Sequence, residues 1–311
     1  MFMNKKVAVV IPCYKTKNQI KDVIKTIPNF INFIIVIDDA CPEGSGKEAE
    51  GIKDPRLIVI FHKKNQGTGG AIITGHKKAL ELGSDIIVKI DGDGQMDNSI
   101  MAEIIKPIVD GKADYVKGNR FYDFKSLKKM PVSRLMGNSI LSFLYKFTSG
   151  YWGINDVANG YTAISRKALL SLNLDKLAKD YFFDSDVLLN MGIQNFRLSE
   201  VATTTKYGDE ISSLNIFNIA LTFPFRILKL FLKRIWLQYF LYNFNMVSIY
   251  LLLGIPMILW GSIFGLYRWY MGVNYGVVNN AGVVMLAILP IILGVQLLLQ
   301  AIAIDMNNKK N

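Results

Sequence analysis

Residues 86–95 read Ile86-Ile-Val-Lys-Ile-Asp-Gly-Asp-Gly-Gln95. A short apolar run stops at Asp91, and a second carboxylate, Asp93, follows one residue later. A run of this length is read as a buried strand. Two carboxylates one residue apart at a strand end can hold a hard divalent cation. Such a cation can neutralise a diphosphate and stabilise it as a leaving group. The competing reading is a tight turn, because Asp-Gly pairs close hairpins. A hairpin needs another strand next, but 97–109 reads as helical.

On either side of this stretch, strands and helices alternate. Apolar runs at 7–11, 33–37 and 57–61 are strand candidates, 115–119 is read as a further strand, and 18–26, 71–82 and 100–109 have helical spacing. Alternation of this kind predicts an α/β fold with a mainly parallel sheet. In such sheets ligands bind beyond the carboxyl ends of the strands. Tyr14, Asp38, Asp39, Asn65, Asp91 and Asp93 fall at those ends. Asn65-Gln-Gly67-Thr-Gly69-Gly70-Ala71 joins a strand to a helix. Its glycines permit close backbone approach, and a helix N-terminus attracts anions. It lacks the Gly-Lys-Ser/Thr of a Walker loop, and Ile72 stands where the third glycine of a dinucleotide fingerprint belongs. His62 and His76, the only histidines, show no zinc-ligand spacing and are read as structural or exposed.

The composition shifts after residue 212. The whole chain is 51% hydrophobic with a formal net charge of +11, but 213–311 is dominated by Leu, Ile, Phe, Val and Tyr. Stretches at about 246–267 and 279–304 contain no charge and are long enough to span a bilayer. Lys229, Lys233 and Arg234 precede the first, Lys309 and Lys310 follow the second, and the connecting loop holds Arg268. The positive-inside rule then puts both termini in the cytoplasm. Between 213 and 243 lies a basic amphipathic segment, expected in the headgroup layer, with Pro224 expected to break it into two helices. The expected organisation is therefore a catalytic domain at 1–212, juxtamembrane helices at 213–243, two spans within 244–304 and a cytoplasmic tail at 305–311. Two cysteines give no disulfide framework and suit a reducing compartment. The positive charge carries no nucleic-acid recognition motif, so no nucleic-acid partner is expected, and its clustering before the apolar tail favours a bilayer surface.

Taken in order, several segments resemble the family 2 glycosyltransferases of GT-A fold, and among them the polyprenyl-phosphate glycosyltransferases. The matching stretches are Val9-Val-Ile-Pro-Cys-Tyr14, Val36-Ile-Asp-Asp39, 65–71, Asp91-Gly-Asp-Gly-Gln95, Lys117-Gly-Asn-Arg120, Asn159-Gly-Tyr161, Tyr181-Phe-Phe-Asp-Ser-Asp186 and Lys206-Tyr-Gly-Asp-Glu-Ile-Ser212. The resemblance implies a GT-A (Rossmann-like) domain that binds a UDP- or GDP-linked sugar with Mg2+ or Mn2+. Pro12, Tyr14, Asp38 and Asp39 would line the nucleotide pocket, together with Asn65, Gly69 and Gly70 of the glycine loop. Asp91, Asp93 and Gln95 would hold metal and diphosphate. Arg120, Arg134 and Asn138 would meet the acceptor phosphate, with Lys206 in support. Asp184 or Asp186 would sit near the sugar. The acceptor implied is a polyprenyl (undecaprenyl or dolichyl) phosphate at the cytoplasmic membrane face, for cell-envelope glycan or glycoconjugate modification. Such an enzyme admits a homo-oligomer and a flippase partner. Lys15 and Thr16 depart from the family's usual Asn-Glu after the first strand.

A lipid monophosphate is already anionic at neutral pH, its second pKa being about 6, so it needs positioning cations more than a general base. Arg120, Arg134 and Lys206 suit that task. Transfer to a hydroxyl of a lipid or growing polysaccharide is the alternative. A processive synthase would carry Gln-x-x-Arg-Trp, but Gly265 stands three residues before Arg268-Trp269. A non-catalytic, membrane-tethered sugar-binding protein would not need the full metal and phosphate set.

Overall fold

The computed structural model describes residues 2–122, 132–157, 159–204 and 216–308, with the backbone alone at 132–135, 138, 216–221 and 308. The chain divides into two units, Met1–Leu230 and Phe231–Lys310.

Strands β1 (Val7–Cys13), β2 (Phe33–Asp38), β3 (Leu57–Phe61), β4 (Ile86–Lys89), β5 (Tyr115–Asn119), β6 (Thr162–Ser165) and β7 (Leu198–Ala202) make one sheet in the order β3-β2-β1-β4-β6-β5-β7. β6 runs antiparallel to both β4 and β5, and every other pairing is parallel. The sheet is therefore mainly parallel, as the alternation of elements predicts. Both faces of the central strands are apolar, which is why they read as continuous hydrophobic runs. Val7, Val9 and Ile11 pack on one face with α1 (Ile20–Lys25) and α4 (Met101–Val109). Ala8, Val10, Ile35 and Ile37 pack on the other with α3 (Gly67–Glu81) and α7 (Phe183–Ile193). Short helices α2 (Ser45–Glu50) and α6 (Arg166–Ser171), and the longer α5 (Val132–Ser149), complete the layers.

Helix α8 (Ile216–Trp236) runs unbroken through Pro224, so the expected break there does not occur. Proline removes one ladder hydrogen bond, but Phe223, Ile227 and Leu230 are held on the apolar core, and Arg226 pairs with Asp180 at 2.7 Å. That packing accounts for one face of the segment. Phe225 and Leu228 on the other face remain exposed, as an interfacial helix requires.

The second unit contains α9 (Met246–Tyr275) and α10 (Ala281–Asn308). Both are long and apolar enough to cross a membrane, and only 22% and 11% of their most apolar windows are buried. A core helix of a soluble protein would be mostly covered, so these are candidate spans. They meet at small residues: a Cβ on Gly261 would lie 2.5 Å from the Ala287 carbonyl oxygen, so only glycine allows this approach.

Candidate active site

The carboxyl ends of β1, β2 and β4 converge, and each contributes acidic or aromatic groups. Pro12 and Tyr14 lie at the end of β1, with Tyr14 exposed and Lys15 in the left-handed region at φ 56°. Asp38 ends β2 but is turned inward. Its Oδ1 accepts from the Cys41 N–H at 2.7 Å and its Oδ2 from the Gly46 N–H at 2.6 Å, so it shapes the loop after β2. Asp39 is also buried. Its Oδ1 accepts from the Gln66 N–H at 2.8 Å and faces His62 Nδ1 at 2.7 Å, while His62 Nε2 reaches Thr74 Oγ1 at 2.9 Å. Asp39 and His62 thus anchor the glycine loop to the carboxyl edge of the sheet, which gives His62 a part the sequence did not.

The glycines of that loop do permit a close backbone approach. A Cβ on Gly69 would lie 2.4 Å from the Ala178 carbonyl oxygen, and one on Gly67, at φ +81°, 2.5 Å from that of Lys179. Gly70 N–H donates to the Lys179 carbonyl at 3.0 Å. The close approach is to the chain's own backbone, and Asn65 closes the turn by accepting from Gly67 N–H at 3.0 Å. This contact sets the segment that leads into α7 and hence the position of Asp184.

Asp184 lies in the first turn of α7 and Asp91 just beyond β4. The buried ammonium of Lys89 bridges them, 3.0 Å from Asp91 Oδ1 and 3.1 Å from Asp184 Oδ2. Burial opposes the charge of Lys89, but Asp184 and Asp91 outweigh it and hold its pKa above the ordinary lysine range. Asp91 and Asp184 are 35% and 26% exposed on their side chains, so both carboxylates remain open to a ligand. Asp93 Oδ1 accepts from Gln95 N–H at 3.0 Å, which fixes the loop that carries both residues.

Asp186 does not join this cluster. It is buried, and accepts from Ala178 N–H at 2.9 Å and from the Asn190 side chain at 2.8 Å. One helical position pointed inward is enough to separate it from Asp184. Of the two carboxylates considered near the sugar, only Asp184 reaches the strand-end site.

The next strands back the cluster. Lys89 and Lys117 both stand opposite Thr162, on either side of β6. Lys117 is fully buried, which pulls its pKa below the ordinary value, and it donates to the Asn159 carbonyl at 2.8 Å. Asn159 also donates to Thr203 Oγ1 at 3.1 Å. These bonds press Gly160 onto Asp91 and Lys89. His76 lies behind, buried, with neither ring nitrogen hydrogen-bonded among the described residues, and burial drives its pKa down to about 4.

The acceptor assignments fare differently. Arg120 is buried, and its fork grips Asp156, Nε to Oδ2 at 2.7 Å and Nη2 to Oδ1 at 2.8 Å. The paired geometry expected on a phosphate is therefore engaged by an internal carboxylate. A cleft of about 470 Å³ opens beside it, lined by Asn119, Tyr122, Ser142, Phe143, Lys146 and Asn155 among others. Backbone helix α5 carries Arg134 and Asn138, whose side chains lie outside the described residues, as does Lys206.

The donor set suits a hard cation. Asp91 and Asp93 supply carboxylate oxygens, and among the described residues no cluster of three His, Cys, Asp or Glu forms.

Residues 8–172 match the model of glycosyl transferase family 2. The chain is 33% identical over 221 residues to the UDP-N-acetylglucosamine--dolichyl-phosphate N-acetylglucosaminyltransferase of Methanococcus voltae, covering 66% of this chain and 88% of the relative. It is 29% identical to the undecaprenyl-phosphate mannosyltransferase of Micrococcus luteus, covering 55% of this chain and 70% of the relative. The fold is similar to that of glucosyl-3-phosphoglycerate synthase from Mycobacterium tuberculosis, solved with Mn2+, UDP and glucosyl-3-phosphoglycerate. That likeness has a TM-score of 0.54 at 16% identity, over 74% of this chain and 80% of that one.

Proposed function

This chain belongs to glycosyl transferase family 2, and we propose that it moves a sugar, with inversion, from a UDP- or GDP-linked donor to a polyprenyl phosphate at the cytoplasmic membrane face. The observation that carries the reading is the pair Asp91 and Asp184 at the open carboxyl edge of the sheet, joined through Lys89, with Asp93 in the same loop as Asp91. The relatives named for dolichyl and undecaprenyl phosphate support the acceptor class. The two span-length helices would keep the site at the surface where such a lipid lies. Lysine and arginine placement supports the orientation, with catalytic unit and both termini cytoplasmic.

Asp91 and Asp93 would hold Mg2+ or Mn2+, which when bound supplies charge neutralisation for the departing nucleoside diphosphate. Asp39, through His62 and Gln66, holds the glycine loop that walls the nucleotide side. Asp184 is held toward the sugar side of the cluster. Arg120 positions the end of β5 through Asp156, leaving Arg134, Asn138 and Lys206 as the proposed acceptor-phosphate contacts. An acceptor phosphate brings its own negative nucleophilic oxygen and requires no proton removal.

One observation favours a second reading, transfer to a hydroxyl. Asp184 is a partly exposed carboxylate beside the proposed sugar site, where a general base would stand. Its Oδ2 is engaged by Lys89, however, which favours the phosphate acceptor. Incubation of the purified protein with radiolabelled UDP- and GDP-sugars separates the readings. Label in a polyprenyl-phosphate product supports the first. Label only in hydroxyl acceptors would establish the second, and no label in any product would leave neither standing.

A further inference from the structure

Lys89 is out of place by the rules of its strand. β4 is buried along its length, and the residues before Lys89 are Ile86, Ile87 and Val88. An apolar side chain would suit position 89, because a buried charge is unfavourable unless paired. The pairing is with two carboxylates that come from different elements, Asp91 from the loop after β4 and Asp184 from α7. Among the described residues, Lys117 on β5 and His76 on α3 are further titratable groups near it.

Resting on the metal-dependent reading above, we propose that Lys89 is a positioning residue that lowers the intrinsic affinity of Asp91 for a divalent cation, so that the cation binds tightly only together with the donor diphosphate. The ammonium sits 3.0 Å from Asp91 Oδ1, so any cation on this carboxylate shares it with a fixed positive charge. Asp91 and Asp184, from two different elements, would otherwise bring two negative charges to one point. Lys89 offsets one of those charges from below, and its second contact keeps Asp184 directed at the same point. The negative charge that completes the cation's site is then brought by the substrate. This couples cation binding to donor binding and leaves both free to depart with the product.

The test is Mn2+ binding to the full-length protein in detergent, read by electron paramagnetic resonance without any nucleotide. Lys89→Met removes the charge and keeps the length. It should bind Mn2+ about tenfold more tightly than the wild type, the effect of deleting one positive charge near a divalent cation even at high dielectric. Lys89→Arg keeps the charge and should bind Mn2+ as the wild type does. Turnover should fall in Lys89→Met, because Asp184 loses its tether. Unchanged or weaker Mn2+ binding in a folded Lys89→Met protein overturns the proposal while leaving the transferase reading intact. A wild-type measurement decides the matter should that variant not fold. UDP or GDP must tighten Mn2+ binding by about tenfold or more, and equal affinity with and without either nucleotide overturns the proposal. Absence of Mn2+ binding to the wild type under every condition overturns both the proposal and the metal-dependent reading.

Discussion

Gly160 and Asp91 touch: a Cβ placed on Gly160 would lie 2.5 Å from Asp91 Oδ2 and 2.7 Å from Lys89 Nζ. The backbone of the loop before β6 is therefore one wall of the carboxylate site. Gly160→Ala should displace the ends of two flexible side chains while leaving the sheet intact. We expect turnover to drop by about tenfold or more, since catalytic geometry tolerates little misplacement, with a melting temperature close to wild type. A fully active Gly160→Ala enzyme would show that the Asp91 carboxylate need not hold this position.

Asp91→Asn and Asp93→Asn keep shape and remove a hard ligand each. Each should abolish transfer, and EDTA should do the same to the wild type, with recovery on adding Mg2+ or Mn2+. Full turnover in EDTA would remove the metal from the mechanism.

Arg120 and Asp156 form a buried bidentate pair, so removing either partner strands a charge in the interior. Arg120→Ala and Asp156→Ala should each cost about 3–5 kcal/mol of stability. Thermal unfolding checks this. If Arg120→Ala unfolds like the wild type but loses turnover with lipid phosphate, the arginine serves the acceptor directly, as the resemblance implies, and its grip on Asp156 is incidental.

His76 supplies an acid-sensitive element. Burial lowers its pKa from 6.5 to about 4, so between those values the unfolded chain binds a proton that the folded chain does not. Stability should therefore decline as pH falls from about 6.5 toward 4, by up to about 3 kcal/mol from this residue. His76→Phe, a ring of similar size, should flatten that decline. An identical acid limb in the variant and the wild type would mean that His76 is not kept neutral by burial.

Much of this was legible in the sequence for a physical reason. Strands buried on both faces, such as 7–11 and 33–37, read as continuous apolar runs, and the polar residues after them marked the carboxyl edge of the sheet. β6 and β7 gave no such signal. Thr162-Ala-Ile-Ser165 is four residues of mixed polarity, and Leu198-Ser-Glu-Val-Ala202 is a half-buried edge strand. Side-chain partnerships were hidden as well. Nothing local shows that Asp186 turns inward while Asp184, two residues earlier, turns to the site, or that Arg120 already holds Asp156. Lys89 was the signal available and unused: a charge inside an otherwise apolar strand next to Asp91 calls for a partner.

The second unit carries its own buried ion pair. Arg234 and Asp305 are both buried, joined Nη1 to Oδ1 at 2.9 Å and Nη2 to Oδ2 at 3.1 Å, and the Tyr239 hydroxyl donates to the same carboxylate. Arg234 lies in the last turn of α8 and Asp305 near the end of α10, so the pair ties the basic segment before the first span to the end of the second. Buried charges are costly unless they are paired. Removing one partner leaves the other uncompensated. Arg234→Ala and Asp305→Ala should each lower stability in detergent by about 3–5 kcal/mol. Replacing both together, as Arg234→Met with Asp305→Leu, removes the charges and their desolvation cost at once and should recover most of that loss. A thermal-unfolding series on the four proteins reads this directly. If the double variant is as unstable as the sum of the singles, the two side chains act independently and the pair is not what joins these helices.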